Sequence, residues 1–171
     1  GPGFTYTRVP QHWAATSRLP GVAAAQEEYI REDVERVKKE ADVVVLSMHW
    51  GKEYHHYPTK QQIILGRAAL EAGADLVIGH HPHVIQGVEF GSKGIIAYSL
   101  GNFVFDQFPV ETKEGLILEA ACGREGIRQI RFTPIQIREE QPVIAESKAK
   151  EVIMKFLSSV SDGLENKEVI R

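Results

Sequence analysis

Histidine is the side chain whose charge changes nearest neutral pH and the commonest protein ligand for transition metals. Four of the seven histidines in this sequence fall in two short stretches, His49 alone and then Gly79-His80-His81-Pro82-His83. His81 and His83 are two apart, so in an extended segment they point to one side and His80 to the other, with Pro82 stiffening the turn. Two imidazoles fixed in this way, with a third from His49, meet the donor requirement of zinc, manganese or iron. For any single one of them the competing reading is a ring hydrogen-bonded within the core.

Two further stretches set polar groups beside apolar runs. In His49-Trp50-Gly51-Lys52-Glu53-Tyr54-His55-His56-Tyr57-Pro58, Gly51 permits close backbone approach. Glu53 reads either as a carboxylate supporting a ligating histidine or as a general acid/base, against the plainer alternative of a solvated loop. Trp50 is a ring for substrate contact or a packed one, and His55 and His56 are site groups or ordinary exposed histidines. In Ser99-Leu100-Gly101-Asn102-Phe103-Val104-Phe105-Asp106, Asn102 either holds a metal, phosphate or carboxylate oxygen or serves as a turn residue. Asp106 reads as a cap or turn residue.

These groups need elements to carry them. Residues 23–40 show a helical period, with Ile30, Val34 and Val37 on one face. Residues 42–48 are a nearly unbroken β-branched run, which reads as a strand buried on both faces. Thr59 with Gln62 has the capping-box form, and the helix it opens stops at Gly73. Residues 75–78 are the next strand, 84–90 and 94–100 two more around a turn at 91–94, and 116–122 with 127–137 an antiparallel pair turning near 123–126. Residues 145–160 form a last amphipathic helix. Glu139-Glu140 reads as a solvated stretch. The segments Ala41-Asp42-Val43-Val44-Val45 and Ala74-Asp75-Leu76-Val77-Ile78 share a form, and each leads into histidine. Strand, helix, strand is the βαβ unit, whose parallel strands end on one edge, so His49 and the 80–83 cluster should meet there, where open α/β sheets place ligands.

At 171 residues with 43% hydrophobic and 25% charged residues, the chain suits one globular domain. A net charge of −3 argues against a nucleic-acid partner but not against an anionic substrate, since a bound metal supplies positive charge locally. Cys122 is the sole cysteine, so no intrachain disulfide forms, and it reads as a buried structural residue. No apolar run reaches the length of a membrane span. Gly1-Pro2 reads as the remnant of a cleaved tag at the head of an irregular segment over 1–21.

The three blocks His49-Trp50-Gly51-x-Glu53-Tyr54, Gly73-Ala74-Asp75-Leu76-Val77-Ile78-Gly79-His80-His81-Pro82-His83 and Tyr98-Ser99-Leu100-Gly101-Asn102-Phe103-Val104-Phe105-Asp106, in this order and spacing, resemble the bacterial capsule-synthesis proteins. These are the poly-γ-glutamate biosynthesis (CapA-type) family, a branch of the calcineurin-like metallophosphatase superfamily. The resemblance runs from about Pro20 to the last helix.

It implies an α/β fold, a sandwich of mixed β-sheets flanked by helices, with a metal-centred site at the strand ends. A lone histidine and a Gly-His-x-His motif supply ligands there, which transfers to His49 and to His81 with His83, or to His80 in place of His81. The catalytic candidates are then His80 and Glu53, and the substrate-contacting ones Asn102, Trp50 and His55. The implied cofactor is a divalent ion (manganese, zinc or iron), two in a complete domain, for phosphoester hydrolysis. The family's Gly-Asp strand, its Asn-containing acidic block and its Asn-Asn-His block find no match here. Residues 22–171 therefore resemble the C-terminal part of the domain, expected to bind one metal weakly or none and to hydrolyse little. The implied setting is the cell envelope, extracytoplasmic, with an anionic polymer such as poly-γ-glutamate or a phosphoester as ligand, a membrane synthase complex as partner, and any membrane contact through an N-terminal anchor. The alternative within that setting is a non-catalytic component that binds polymer or synthase; outside it, an intracellular phosphoesterase.

Overall fold

The computed structural model describes residues 5–7 (backbone only), 13–107 and 109–164. The expected tag remnant and residues 1–4 and 8–12 of the irregular segment lie outside those residues. The fold is mixed α/β. Its larger sheet has, among the described residues, the order β2 (Ala23–Ala24), β1 (Thr5–Thr7), β3 (Val45–His49), β4 (Leu76–His80), β6 (Gly94–Ala97), β5 (Val88–Gly91). All neighbours are parallel except the β5–β6 hairpin. A second sheet is formed by β7 (Glu114–Gly123), β8 (Gly126–Arg138) and β9 (Gln141–Ile144), all antiparallel. Three α-helices complete the described chain: α1 (Glu27–Lys38), α2 (Lys60–Ala72) and α3 (Ser147–Ser161). None of the described helices is long and apolar enough to cross a membrane.

The strands divide their side chains between two cores. Leu46 and Met48 of β3, Val77 of β4 and Ile96 of β6 point to the face covered by α1 and α2, where they meet Ile30, Val34, Leu65 and Ala69. Val88 of β5 and Ala97 of β6 belong to the other face, where Leu116 of β7 and Ile153 and Leu157 of α3 close over the hairpin half of the sheet. The β3–α2–β4 unit has the expected parallel pairing, with His49 opposite His80. Asp75, in the repeated Ala-Asp form, accepts from the Val44 amide at 2.8 Å and from Lys38 at 2.8 Å, tying the start of β3 to the start of β4. The capping box at Thr59 and Gln62 is formed, and Gly73 adopts the left-handed conformation that ends α2.

Several expectations are corrected. Helix α1 starts at Glu27 rather than residue 23, because Ala23–Ala24 pairs with β1 as an edge strand. The run at 42–48 is not buried on both faces: Val45 is 51% exposed while Leu46 and Met48 are buried, because no described element covers that face of β3. The hairpin strands are shorter than 84–90 and 94–100, since 81–84 bend sharply after β4. Cys122 is exposed rather than buried. Glu139 and Glu140 are exposed, in keeping with a solvated stretch, and form the turn of a β8–β9 hairpin, both with positive φ (49° and 66°).

A buried polar relay supports the strand ends. Tyr98 donates its hydroxyl to Glu89 (2.8 Å), Glu89 also accepts from Arg67 of α2 (2.8 Å), and Tyr98 stacks on Trp50. Burial, with the Glu89 charge beside it, raises the Tyr98 phenol far above its ordinary range. The Trp50 indole donates to the Tyr98 carbonyl at 2.9 Å, passing over Gly79. A Cβ on Gly79 would fall inside the contact radius of both the Tyr98 carbonyl and Trp50 Nε1. Gly79→Ala should therefore lower stability by about 3 kcal/mol or more, seen as a lower urea midpoint at unchanged slope. Gly91→Ala, whose Cβ would meet Gly94 O at 3.4 Å and Leu70 Cδ1 at 3.6 Å, should shift the midpoint little.

Candidate metal centre

The strand ends bring the polar groups to one edge. Glu53, His81 and His83 each offer one ligand atom, and these atoms all lie within 4.8 Å of one another. His83 Nε2 and Glu53 Oε1 are 3.9 Å apart. Two imidazoles and a carboxylate are the donor chemistry that zinc, manganese and ferrous iron accept, so the residues present fit such an ion. His49 lies beside this group, its ring centroid 4.6 Å from that of His81.

The way in which His81 and His83 converge differs from the expectation. Residues 81–84 are a bend rather than an extended segment, and both histidines have positive φ, 100° and 61°. Non-glycine residues rarely adopt this region, and such local strain persists only where surrounding contacts enforce it. Trp50 N donates to His80 O (3.0 Å) and Tyr54 N to Pro82 O (2.8 Å), so the 50–58 loop grips the bend by its backbone. Tyr54, itself at φ 60°, and Phe105 flank the His83 ring.

The loop that supplies Glu53 is anchored from below. Gln62 donates to Gln86 (2.8 Å), and Gln86 donates to the carbonyls of His55 (2.6 Å) and Tyr57 (3.4 Å). Both glutamines are buried, at 1% and 0% exposure. Gly51 has φ 89°, and a Cβ there would lie 2.6 Å from Gln62 Oε1, so the close approach that glycine permits is to this anchor. His56 Nδ1 lies 3.0 Å from Ile85 O, and its ring stands edge-on to Phe156 of α3. Burial raises the Glu114 carboxyl, an effect opposed by the charge of nearby His56.

The remaining sequence candidates separate into different positions. Trp50 is 3% exposed and packs on Tyr98, so its ring supports the loop from the core instead of meeting a substrate. His55 is exposed and contributes its carbonyl to Gln86. His80 is half-buried at the end of β4, and burial lowers its pKa. Asn102 is 7% exposed and faces His83 Nδ1 at 2.9 Å with its side-chain oxygen. Asp106 is exposed. Sequence reasoning gave no role to Tyr54 and Phe105, which lie inside the quoted blocks, nor to Gln86, Gln107 and Thr112, which lie outside them; for Gln86 the local signal is a glutamine inside an otherwise apolar run.

Residues 3–107 match a family model described as bacterial capsule synthesis protein PGA_cap. The chain is 38% identical over 152 residues to the PGA biosynthesis protein CapA of Bacillus subtilis, covering 88% of this chain and 40% of that protein. It is 37% identical over 132 residues to the capsule biosynthesis protein CapA of Bacillus anthracis, covering 75% of this chain and 32% of that protein. Over 105 residues it is 29% identical to a probable polyglutamine synthesis accessory protein of Mycobacterium tuberculosis, covering 57% of this chain and 28% of that protein. The chain thus spans well under half the length of these relatives.

The histidines also set a pH dependence. Burial lowers His49, and neighbouring His81, His80 and His83 lower it further; burial alone lowers His80. As pH falls below the ordinary histidine value of 6.5, the unfolded chain protonates at these positions before the folded one does. The unfolded state then binds more protons, so stability falls with pH. In chelator-treated protein the urea midpoint should drop as pH is lowered from about 7.5 to about 5.5, and His80→Asn should reduce that dependence.

Proposed function

The chain belongs to the bacterial capsule synthesis protein family, and on that premise we propose that it takes part in capsule or poly-glutamate biosynthesis at the cell envelope. We propose further that Glu53, His81 and His83 hold one divalent ion for hydrolysis of a phosphoester. The observation that carries the metal reading is the convergence of those three donors within 4.8 Å at the ends of parallel strands. The names of the relatives, which speak of PGA biosynthesis, capsule biosynthesis and polyglutamine synthesis, support the pathway.

When bound, such an ion supplies Lewis acidity and lowers the pKa of water, which is the chemistry phosphoester hydrolysis needs. The chain's own residues do the positioning. Glu53 is delivered by a loop held through Gln86, and His81 and His83 by a bend held through Trp50 and Tyr54. His49, outside the three-donor group but in ring contact with His81, extends the donor set toward a second ion in a longer protein. His80, at the end of β4 opposite His49, is the general-base candidate, and burial disfavours its charged form.

A second reading, a polymer-binding component without turnover, is favoured by the exposed rings of Tyr54 and Phe105 beside His83. In that case the partner is an anionic polymer or a synthase subunit. Calorimetric titration with Zn²⁺ or Mn²⁺ separates the two. The metal reading expects one ion per chain, weakened at least about 100-fold by His81→Ala, His83→Ala or Glu53→Ala, since even residues that only support ligands typically contribute 10–100-fold. His49→Ala should cost less than any of these. Metal binding indifferent to all three donors overturns that reading, and retention of poly-γ-glutamate in excess chelator supports the binder.

A further inference from the structure

Asn102 sits at the start of the 102–113 segment with its side chain turned inward and 7% exposed. Its amide nitrogen is 3.1 Å from the Thr112 carbonyl and 3.1 Å from Gln107 Oε1. A backbone carbonyl accepts and cannot donate, so the Thr112 contact alone decides which end of the carboxamide is NH₂. The side-chain oxygen must then face His83, whose Nδ1 lies 2.9 Å away. An oxygen in that position accepts, so Nδ1 carries the proton. In the neutral ring Nε2 then bears the lone pair, and Nε2 is the atom that faces Glu53.

The carboxamide has little freedom to turn over. Thr112 is 1% exposed, and its hydroxyl donates to Pro109 O at 2.6 Å, which fixes the short helical turn Val110–Lys113. Leu116 N donates to Leu100 O at 2.8 Å, and Gly101 bridges to Gly115, so β7 holds the backbone leading into Asn102. Gln107 donates in turn to the Tyr54 hydroxyl at 3.4 Å, on the loop that brings Glu53.

We propose that Asn102 is a positioning residue that locks His83 in the Nδ1–H tautomer and so presents Nε2 as the ligating atom toward Glu53 and His81. This assigns Asn102 a role through His83 instead of contact with a substrate or metal. The inference rests on the metal reading for its purpose but not for its test. Long-range ¹H–¹⁵N correlation of the histidine rings in the metal-free 171-residue chain, at a pH where His83 is neutral, reports the tautomer directly.

The expected result is a His83 ring protonated at Nδ1 in the wild type. In Asn102→Leu, which removes the acceptor, the ring should shift toward the Nε2–H form that an unconstrained imidazole prefers. Gln107→Ala should leave the tautomer as it is, because Thr112 O still orients the amide. A wild-type His83 protonated at Nε2 overturns the proposal without any variant, as does an Asn102→Leu protein, folded by its amide spectrum, that keeps the Nδ1–H form. If the Asn102→Leu chain does not fold, the wild-type and Gln107→Ala spectra decide. Zn²⁺ affinity is the second readout: where the wild type binds, Asn102→Leu should weaken it about 10–100-fold. A wild type that binds no metal yet shows the Nδ1–H ring defeats the metal reading and leaves the tautomer lock standing.

Discussion

The indole N–H of Trp50 reaches across Gly79 to the Tyr98 carbonyl, and the placement of the polar edge depends on that bond. Trp50 is the first residue beyond β3, Gly79 lies within β4, and Tyr98 follows β6. One side chain therefore spans three adjacent strands at the edge where the histidines emerge. It fits only because the middle strand has no Cβ at the crossing point. Behind it, Tyr98 is held by Glu89 and Glu89 by Arg67, so the support runs from the strand ends to the outer face of α2. The low dielectric around these groups strengthens each bond and makes any lost partner costly.

On that base the site is assembled by three loops that grip one another instead of by strands alone. The 50–58 loop bonds to the 80–83 bend through backbone groups, the bend meets the 102–113 segment through His83 and Asn102, and that segment returns to Tyr54 through Gln107. Positive φ at Tyr54, His81 and His83 belongs to the same arrangement. Strain of this kind costs on the order of 1–3 kcal/mol per residue and is held only where contacts over-determine it. The three loops supply those contacts.

Much of this was legible from residue types. The βαβ unit, the capping box at Thr59 and Gln62, the stop at Gly73 and the β7–β8 pair follow from local periodicity and end signals that the structure retains. The rest depended on partners far along the chain. Strand β9 was hidden because its turn is Glu139-Glu140, and two-residue turns with positive φ usually announce themselves with Asn or Gly. Spacing pointed to His49 as a third donor beside His81 and His83, whereas Glu53 completes the close group because a loop folds back, a move no period encodes. The surroundings of Asn102 are set by Thr112, ten residues on, and nothing in Gly-Asn indicates whether its amide turns inward or to water.

The Gln62–Gln86 chain beneath the 50–58 loop has a consequence for conformational entropy. A nine-residue polar loop free in solution would lose on the order of 1–2 kcal/mol per residue on being ordered by a ligand. Here two buried carboxamides hold the carbonyls of His55 and Tyr57 in the folded protein itself. The ordering of Glu53's loop is thus a cost of folding, already met when anything arrives at the edge. An occupant of that edge meets an arranged surface, and its affinity reflects contact and desolvation with little subtracted for organising the loop.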